Sequence, residues 1–136
     1  MEFSGLTLVT GAAGFMGSHL VEFLARKGVR VRASARPRKD TAFFDRLGIE
    51  YVPADLTKPE TLPRLFEGGV DRVFHLGAIC NFSTPYESLS TTNVDGVKRI
   101  TGIMNGMRGF LPEFDSPVME LNPDAVDDIS NRGGTI

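Results

Sequence analysis

Cysteine is nearly missing from this sequence. The 136 residues hold one, Cys80, so no internal disulfide can form, and a reducing compartment is the natural setting. Net charge is also scarce: 15 Lys and Arg against 17 Asp and Glu leave -2. That balance gives no support to a general nucleic-acid or membrane-surface role. No apolar run is long enough to span a bilayer. The opening MEFSGLTLVTG has neither a basic start nor a sustained apolar stretch, so it does not read as a signal peptide. The expectation is a soluble, cytoplasmic protein with no nucleic-acid or membrane partner. Histidine, cysteine and carboxylates are too scattered for a metal site. Nothing in the sequence indicates an oligomeric state.

What is present is an ordinary globular balance, 41% hydrophobic and 24% charged, in a length that suits one domain over residues 1–136 with a real core. Leu6 to Thr10 reads as a buried strand running straight into Gly11. Phe15 to Lys27 has helical periodicity, with Met16, Leu20, Phe23 and Leu24 on one face and Gly28 as the stop. Further strands are expected at Val29 to Ser34, Ile49 to Ala54 and Val70 to Leu76. Helices are expected at Asp40 to Leu47, Pro59 to Phe66, and Tyr86 to about Lys98, the last opened by Thr84-Pro85 as N-cap and first-turn residue. Three glycines, Gly102, Gly106 and Gly109, would each penalise a helix by roughly 1 kcal/mol. Ile100 to Met104 therefore reads as a fifth strand. A short helix from Asn122-Pro123 to about Asn131 follows, with Asp127-Asp128 on its solvated face, and Ile136 reads as the opening of another strand. Strands alternating with helices predict an α/β fold: a single Rossmann-like, doubly wound domain with about five parallel strands and helices on both faces.

The strand-to-helix turn reads TGAAGFMG, with glycines at 11, 14 and 17. Each has its own task. Gly11 allows the sharp turn, Gly14 lets the backbone approach a pyrophosphate, and Gly17 lets the helix pack closely. The helix beginning near Phe15 would aim unpaired N–H groups and the positive end of its dipole at the anion. The candidate pyrophosphate site is thus Gly11, Ala13, Gly14, Phe15, Met16 and Gly17.

TGAAGFMGSHL resembles the nucleotide-binding signature of the extended short-chain dehydrogenase/reductases, the NAD-dependent epimerase/dehydratase family. Asp55-Leu56 resembles the family's Asp-Leu, His75-Leu76-Gly77-Ala78 its His-x-Ala-Ala, and Asn93-Val94-Asp95-Gly96 its Asn-Val-x-Gly. The resemblance covers about residues 4–98. It implies that Asp55 and Leu56 meet adenine and that Leu76, Gly77 and Ala78 line the ribose and nicotinamide side. Gly77 departs from the family, which has Ala there.

An NAD site usually carries Asp or Glu at the end of the second strand, whereas Arg there suits the 2′-phosphate of NADP. Here the segment runs VRVRASARPRK, with no carboxylate before Asp40. Arg36 stands at the discriminating place, and its fork of N–H donors suits a phosphate. NADP is expected over NAD. The other reading of Arg26, Lys27, Arg30, Arg32, Arg36, Arg38 and Lys39 is a solvated basic surface.

The resembled family uses a Tyr-x-x-x-Lys pair, in which Lys lowers the Tyr pKa so that it serves as base. Here Tyr51 is followed four residues later by Asp55, and Tyr86 by Ser90. The catalytic base is therefore unidentified. His75 and Cys80 read more simply as a cofactor-lining histidine and a small buried thiol than as nucleophile chemistry. Residues 99–136, with Gly102-x-x-x-Gly106-x-x-Gly109 and Arg132-Gly133-Gly134-Thr135, resemble an N-terminal segment of the 6-phosphofructokinases less specifically. A segment junction near 97–101 would make the chain a chimera. Three functional readings result: a dinucleotide-binding domain, an inactive recombined or truncated scaffold, and a short oxidoreductase whose base comes from elsewhere.

Overall fold

The computed structural model describes residues 4–38, 40–81 and 83–108. Among the described residues four strands, β1 (Leu6–Thr10), β2 (Arg30–Ser34), β3 (Glu50–Tyr51) and β4 (Arg72–His75), form one sheet in the order β3-β2-β1-β4. Every pairing is parallel. All five residues of β1 are buried, as a central strand covered on both faces requires. Parallel neighbours need crossovers, and α1 (Phe15–Arg26) and α2 (Ala42–Arg46) supply the first two. Two short 3₁₀ turns, Pro59–Thr61 and Pro63–Phe66, stand where one helix was expected on the way to β4. The expected third strand is regular only at Glu50–Tyr51. Its pairing nonetheless continues, since the Val52 and Ala54 amides donate to the Ala33 and Ala35 carbonyls at 2.9 and 3.0 Å.

The core is split by the sheet. One cluster holds Val9, Val21, Leu24, Val31 and Phe44 beneath α1 and α2. The other holds Leu8, Leu62, Leu65, Phe66 and Ile100. The doubly wound expectation is thus met on both faces. The inward face of α1 is Gly17, Val21 and Leu24. Met16 and Phe23, expected inside, are exposed. The rotation follows from Gly17, which must lie against the Gly11–Ala12 turn.

The last described helical run corrects the expected fifth strand. It begins with α3 (Tyr86–Leu89), with Pro85 rather than Thr84 as its N-cap. It passes through a π-helical turn at Ser90–Val94 and continues as α4 (Asp95–Arg108). Residues 100–104 are therefore helical. Ile100 is buried in the second core, with Ile103 and Met104 packed against it, and that burial outweighs the propensity cost of Gly102. Residues 97–101, the expected junction, lie inside α4. The readings at Asn122-Pro123, Asp127-Asp128, Arg132 to Thr135 and Ile136 lie outside the described residues.

Candidate functional site

The strand order reverses between β1 and β4, and open α/β sheets form ligand crevices at the carboxyl ends of strands at such a switch point. A crevice of about 1030 Å³ lies there. Its lining brings together Gly11, Ala13, Gly14, Arg36, Asp55, Leu56, Leu76, Gly77 and Ala78, which come from four separate segments of chain. Three expected residues do not line it. Gly17 is buried, and Phe15 and Met16 are 79% and 68% exposed without lining the crevice.

The three glycines separate by physical role. Gly11 has φ +66, and a Cβ there would lie 2.6 Å from the Gly77 amide nitrogen. A Cβ on Gly17 would run into the Gly11 carbonyl and approach Ala12 Cα to 2.8 Å. Both positions need glycine for the fold itself. Gly14 is under less constraint: its φ is -78, and an added Cβ would meet only the Gly11 carbonyl, at a tight 3.3 Å. What glycine supplies at 14 is bare backbone at the crevice. Gly14 is also the N-cap of α1, with no side-chain cap and no acidic residue in the first turn. The Ser18 amide makes the first helical bond back to Gly14 at 2.9 Å, so the amides of Phe15, Met16 and Gly17 have no acceptor within the helix. This end of α1 is suited to an anion.

The expected basic cluster divides into different roles. Arg26 pairs with Glu22 at 2.6 Å along α1. Arg32 is buried: its Nε reaches Glu50 at 2.9 Å, and its Nη1 donates to the Leu65 and Glu67 carbonyls at 2.9 and 2.7 Å. It ties β2 to the second 3₁₀ turn and is no anion ligand. Arg36 and Arg38 line the crevice. Asp40, the first carboxylate after β2, accepts from the Ala42 amide at 3.0 Å and so opens α2.

Opposite Arg36, Asp55 accepts from the Thr57 hydroxyl at 2.7 Å and the Thr57 amide at 2.9 Å. These bonds hold its carboxyl below its ordinary value of 3.8, with smaller help from the charges of Lys58 and Arg36. The Leu56 carbonyl accepts from Arg99 Nη1 at 2.8 Å. The Leu56 side chain fills the space beside Gly77, where a Cβ would lie 2.9 Å from Leu56 Cδ1. Alanine at 77 would need only a shift of the Leu56 side-chain end.

β4 ends at His75, whose Nδ1 lies 2.7 Å from the Thr10 hydroxyl. Its Nε2 is buried without a partner, and burial holds the imidazole pKa below 6.5. His75 is not among the lining residues, and neither is Cys80, which is exposed rather than buried as expected. Sequence reasoning missed the far wall, Glu87, Ser88, Thr91 and Thr92. Its signal was the helical spacing of small polar residues after Pro85. Among the described residues no three His, Cys, Asp or Glu gather as a metal site, and no helix is long and apolar enough to cross a membrane.

The sequence profile described as the NAD dependent epimerase/dehydratase family matches residues 7–110. The uncharacterized protein YbjS of Escherichia coli is 32% identical over 76% of this chain and 32% of its own length. The ceramide reductase of Caulobacter vibrioides is 35% identical over 69% of this chain and 29% of its own. Among solved structures, the UDP-glucose 4-epimerase of Thermus thermophilus, in complex with NAD, superposes with a TM-score of 0.65 at 25% identity, over 74% of this chain and 34% of that one. The chain spans about a third of the length of the curated relatives it matches. A shorter alignment, 44% identical over 63 residues, joins 44% of this chain to 14% of the ATP-dependent 6-phosphofructokinase of Borreliella burgdorferi. The second resemblance is therefore present, but partial.

Proposed function

Because this chain belongs to the NAD dependent epimerase/dehydratase family, we propose that it forms the dinucleotide-holding half of an oxidoreductase or epimerase and takes NADP in preference to NAD. The observation that carries the reading is the crevice itself, where the uncapped end of α1, Arg36, Asp55-Leu56 and Leu76 to Ala78 converge. A bound nicotinamide cofactor supplies hydride-carrying chemistry. The chain's own part is binding and orientation. The first-turn amides of α1 hold the pyrophosphate over Gly14. Asp55 and Leu56 receive adenine. Leu76, Gly77 and Ala78 border the nicotinamide side. Arg36 takes the 2′-phosphate, a role supported by the engagement of Asp40 at α2. A cytoplasmic setting fits the single exposed thiol.

Neither tyrosine carries the Tyr-x-x-x-Lys spacing, so the base for turnover is not assigned to either. The test is a fluorescence titration with NADPH and NADH in parallel, on the protein and on Arg36→Ala. Losing a charge-assisted phosphate contact weakens NADPH by about tenfold or more and NADH far less. Equal losses remove the phosphate role and leave NAD as the cofactor. The partial phosphofructokinase likeness favours a second reading, a recombined α/β scaffold that binds nothing well. Absence of saturable binding by a protein with a folded circular dichroism spectrum selects it.

A further inference from the structure

The loop that carries Arg36 leaves the sheet after Ser34, and its grip on the rest of the fold decides where a guanidinium on it can reach. The Ala35 carbonyl is tied to the segment that follows β3 by the Ala54 amide at 3.0 Å. The Arg36 carbonyl accepts from the Tyr51 hydroxyl at 2.9 Å, and the same hydroxyl lies 3.3 Å from the Ala35 carbonyl. The Tyr51 ring is itself fixed, stacked on the buried Phe44 with centroids 4.9 Å apart and planes 5° from parallel. Tyr51 thus joins the core under α2 to the backbone of the residue that faces the crevice. Burial raises its pKa above 10.0, and the hydroxyl keeps its proton for this bond.

We infer that Tyr51 is a specificity-positioning residue: its hydroxyl sets the backbone from which Arg36 reaches a ribose 2′-phosphate, and so tunes the choice between NADP and NAD. The inference rests on the NADP reading above. It assigns a task to a tyrosine that lacks the spacing of a catalytic base. A side chain that touches no cofactor atom would discriminate between two cofactors that differ by one phosphate.

Tyr51→Phe removes the hydroxyl and keeps the stacked ring, so the variant should fold; its circular dichroism melt checks this. Tyr51→Phe and Arg36→Ala are titrated side by side with NADPH and NADH. The expected result is an NADPH affinity weakened by about three- to tenfold in Tyr51→Phe, as the loss of one hydrogen bond implies, with NADH unchanged. Equal weakening of both cofactors would show a general structural role and overturn the inference. Unchanged NADPH binding in Tyr51→Phe, with Arg36→Ala still selective, would overturn it and leave the Arg36 reading standing. An Arg36→Ala variant with no change in cofactor preference would remove both.

Discussion

Asn93 holds both backbone groups of Ile79. Its Oδ1 accepts from the Ile79 amide at 2.8 Å, and its Nδ2 donates to the Ile79 carbonyl at 2.9 Å. A side-chain amide has the donor and acceptor needed to satisfy one residue's backbone in this way. Asn93 sits in the π-helical turn between α3 and α4, and Ile79 lines the crevice just beyond Ala78. Asn93→Ala is expected to lose about 1–2 kcal/mol of stability from the two bonds, measured by urea denaturation. NADPH affinity should fall severalfold while that for AMP, which has no nicotinamide, holds. Equal losses for both would place the effect on the whole crevice rather than on this loop.

Replacing each loop glycine with alanine should divide the motif in two. Gly17→Ala forces a methyl into the Gly11–Ala12 turn, and its stability should drop by about 2 kcal/mol. Gly14→Ala meets only the Gly11 carbonyl, at a tight 3.3 Å, and its melting temperature should fall far less than that of Gly17→Ala. Its cofactor affinity should fall by about tenfold or more, because the methyl stands where backbone meets pyrophosphate. Gly14→Val should be worse on the same measure. Full binding by either Gly14 variant counts against the pyrophosphate site.

Arg32→Leu should destabilise by about 2–3 kcal/mol in urea denaturation, mostly by leaving the Leu65 and Glu67 carbonyls without their donor. The ion pair itself adds little, because Glu50 is half exposed. A loss of cofactor affinity without a loss of stability would contradict the role given to Arg32.

The histidine at the end of β4 predicts a pH dependence. Its folded pKa is lowered below 6.5, so the unfolded chain binds its proton first as pH falls. Stability should decline from about pH 6.5 downward and level off below the folded value. Asp55, also lowered, contributes above its ordinary 3.8 and loses that contribution only as pH falls through its folded value. The two windows therefore open at different pH, near 6.5 for His75 and near 3.8 for Asp55. His75→Asn should flatten the upper one in urea midpoints taken between pH 7.5 and 5, and an unchanged slope would assign it to another group.

The loop and the first strands were legible because their signals are local. Gly11 announces its turn, and Gly28 its helix stop, at φ +73. Other parts were not local. Gly102 and Gly106 argued against a helix at 100–104, yet Ile100, Ile103 and Met104 carry the i, i+3, i+4 spacing of one, and the core they meet decided the matter. Arg32 read as one basic residue among several because its partners at Glu50, Leu65 and Glu67 are distant in sequence. The tasks of Tyr51 and Asn93 were hidden for the same reason: each depends on a backbone carbonyl that folding brings near.

The two cores do not close at the same point along the chain. Apart from Phe74, the cluster beneath α1 and α2 is built from residues between Val9 and Tyr51. The opposite cluster needs Ile100 on α4 as well as Leu8 and the 3₁₀ turns. A chain emerging from a ribosome delivers its N-terminal end first. One side of the sheet can be sealed while the other still waits for α4. During synthesis, the greasy patch that Leu8 shares with Leu62, Leu65 and Phe66 stays incomplete until Ile100 has been made.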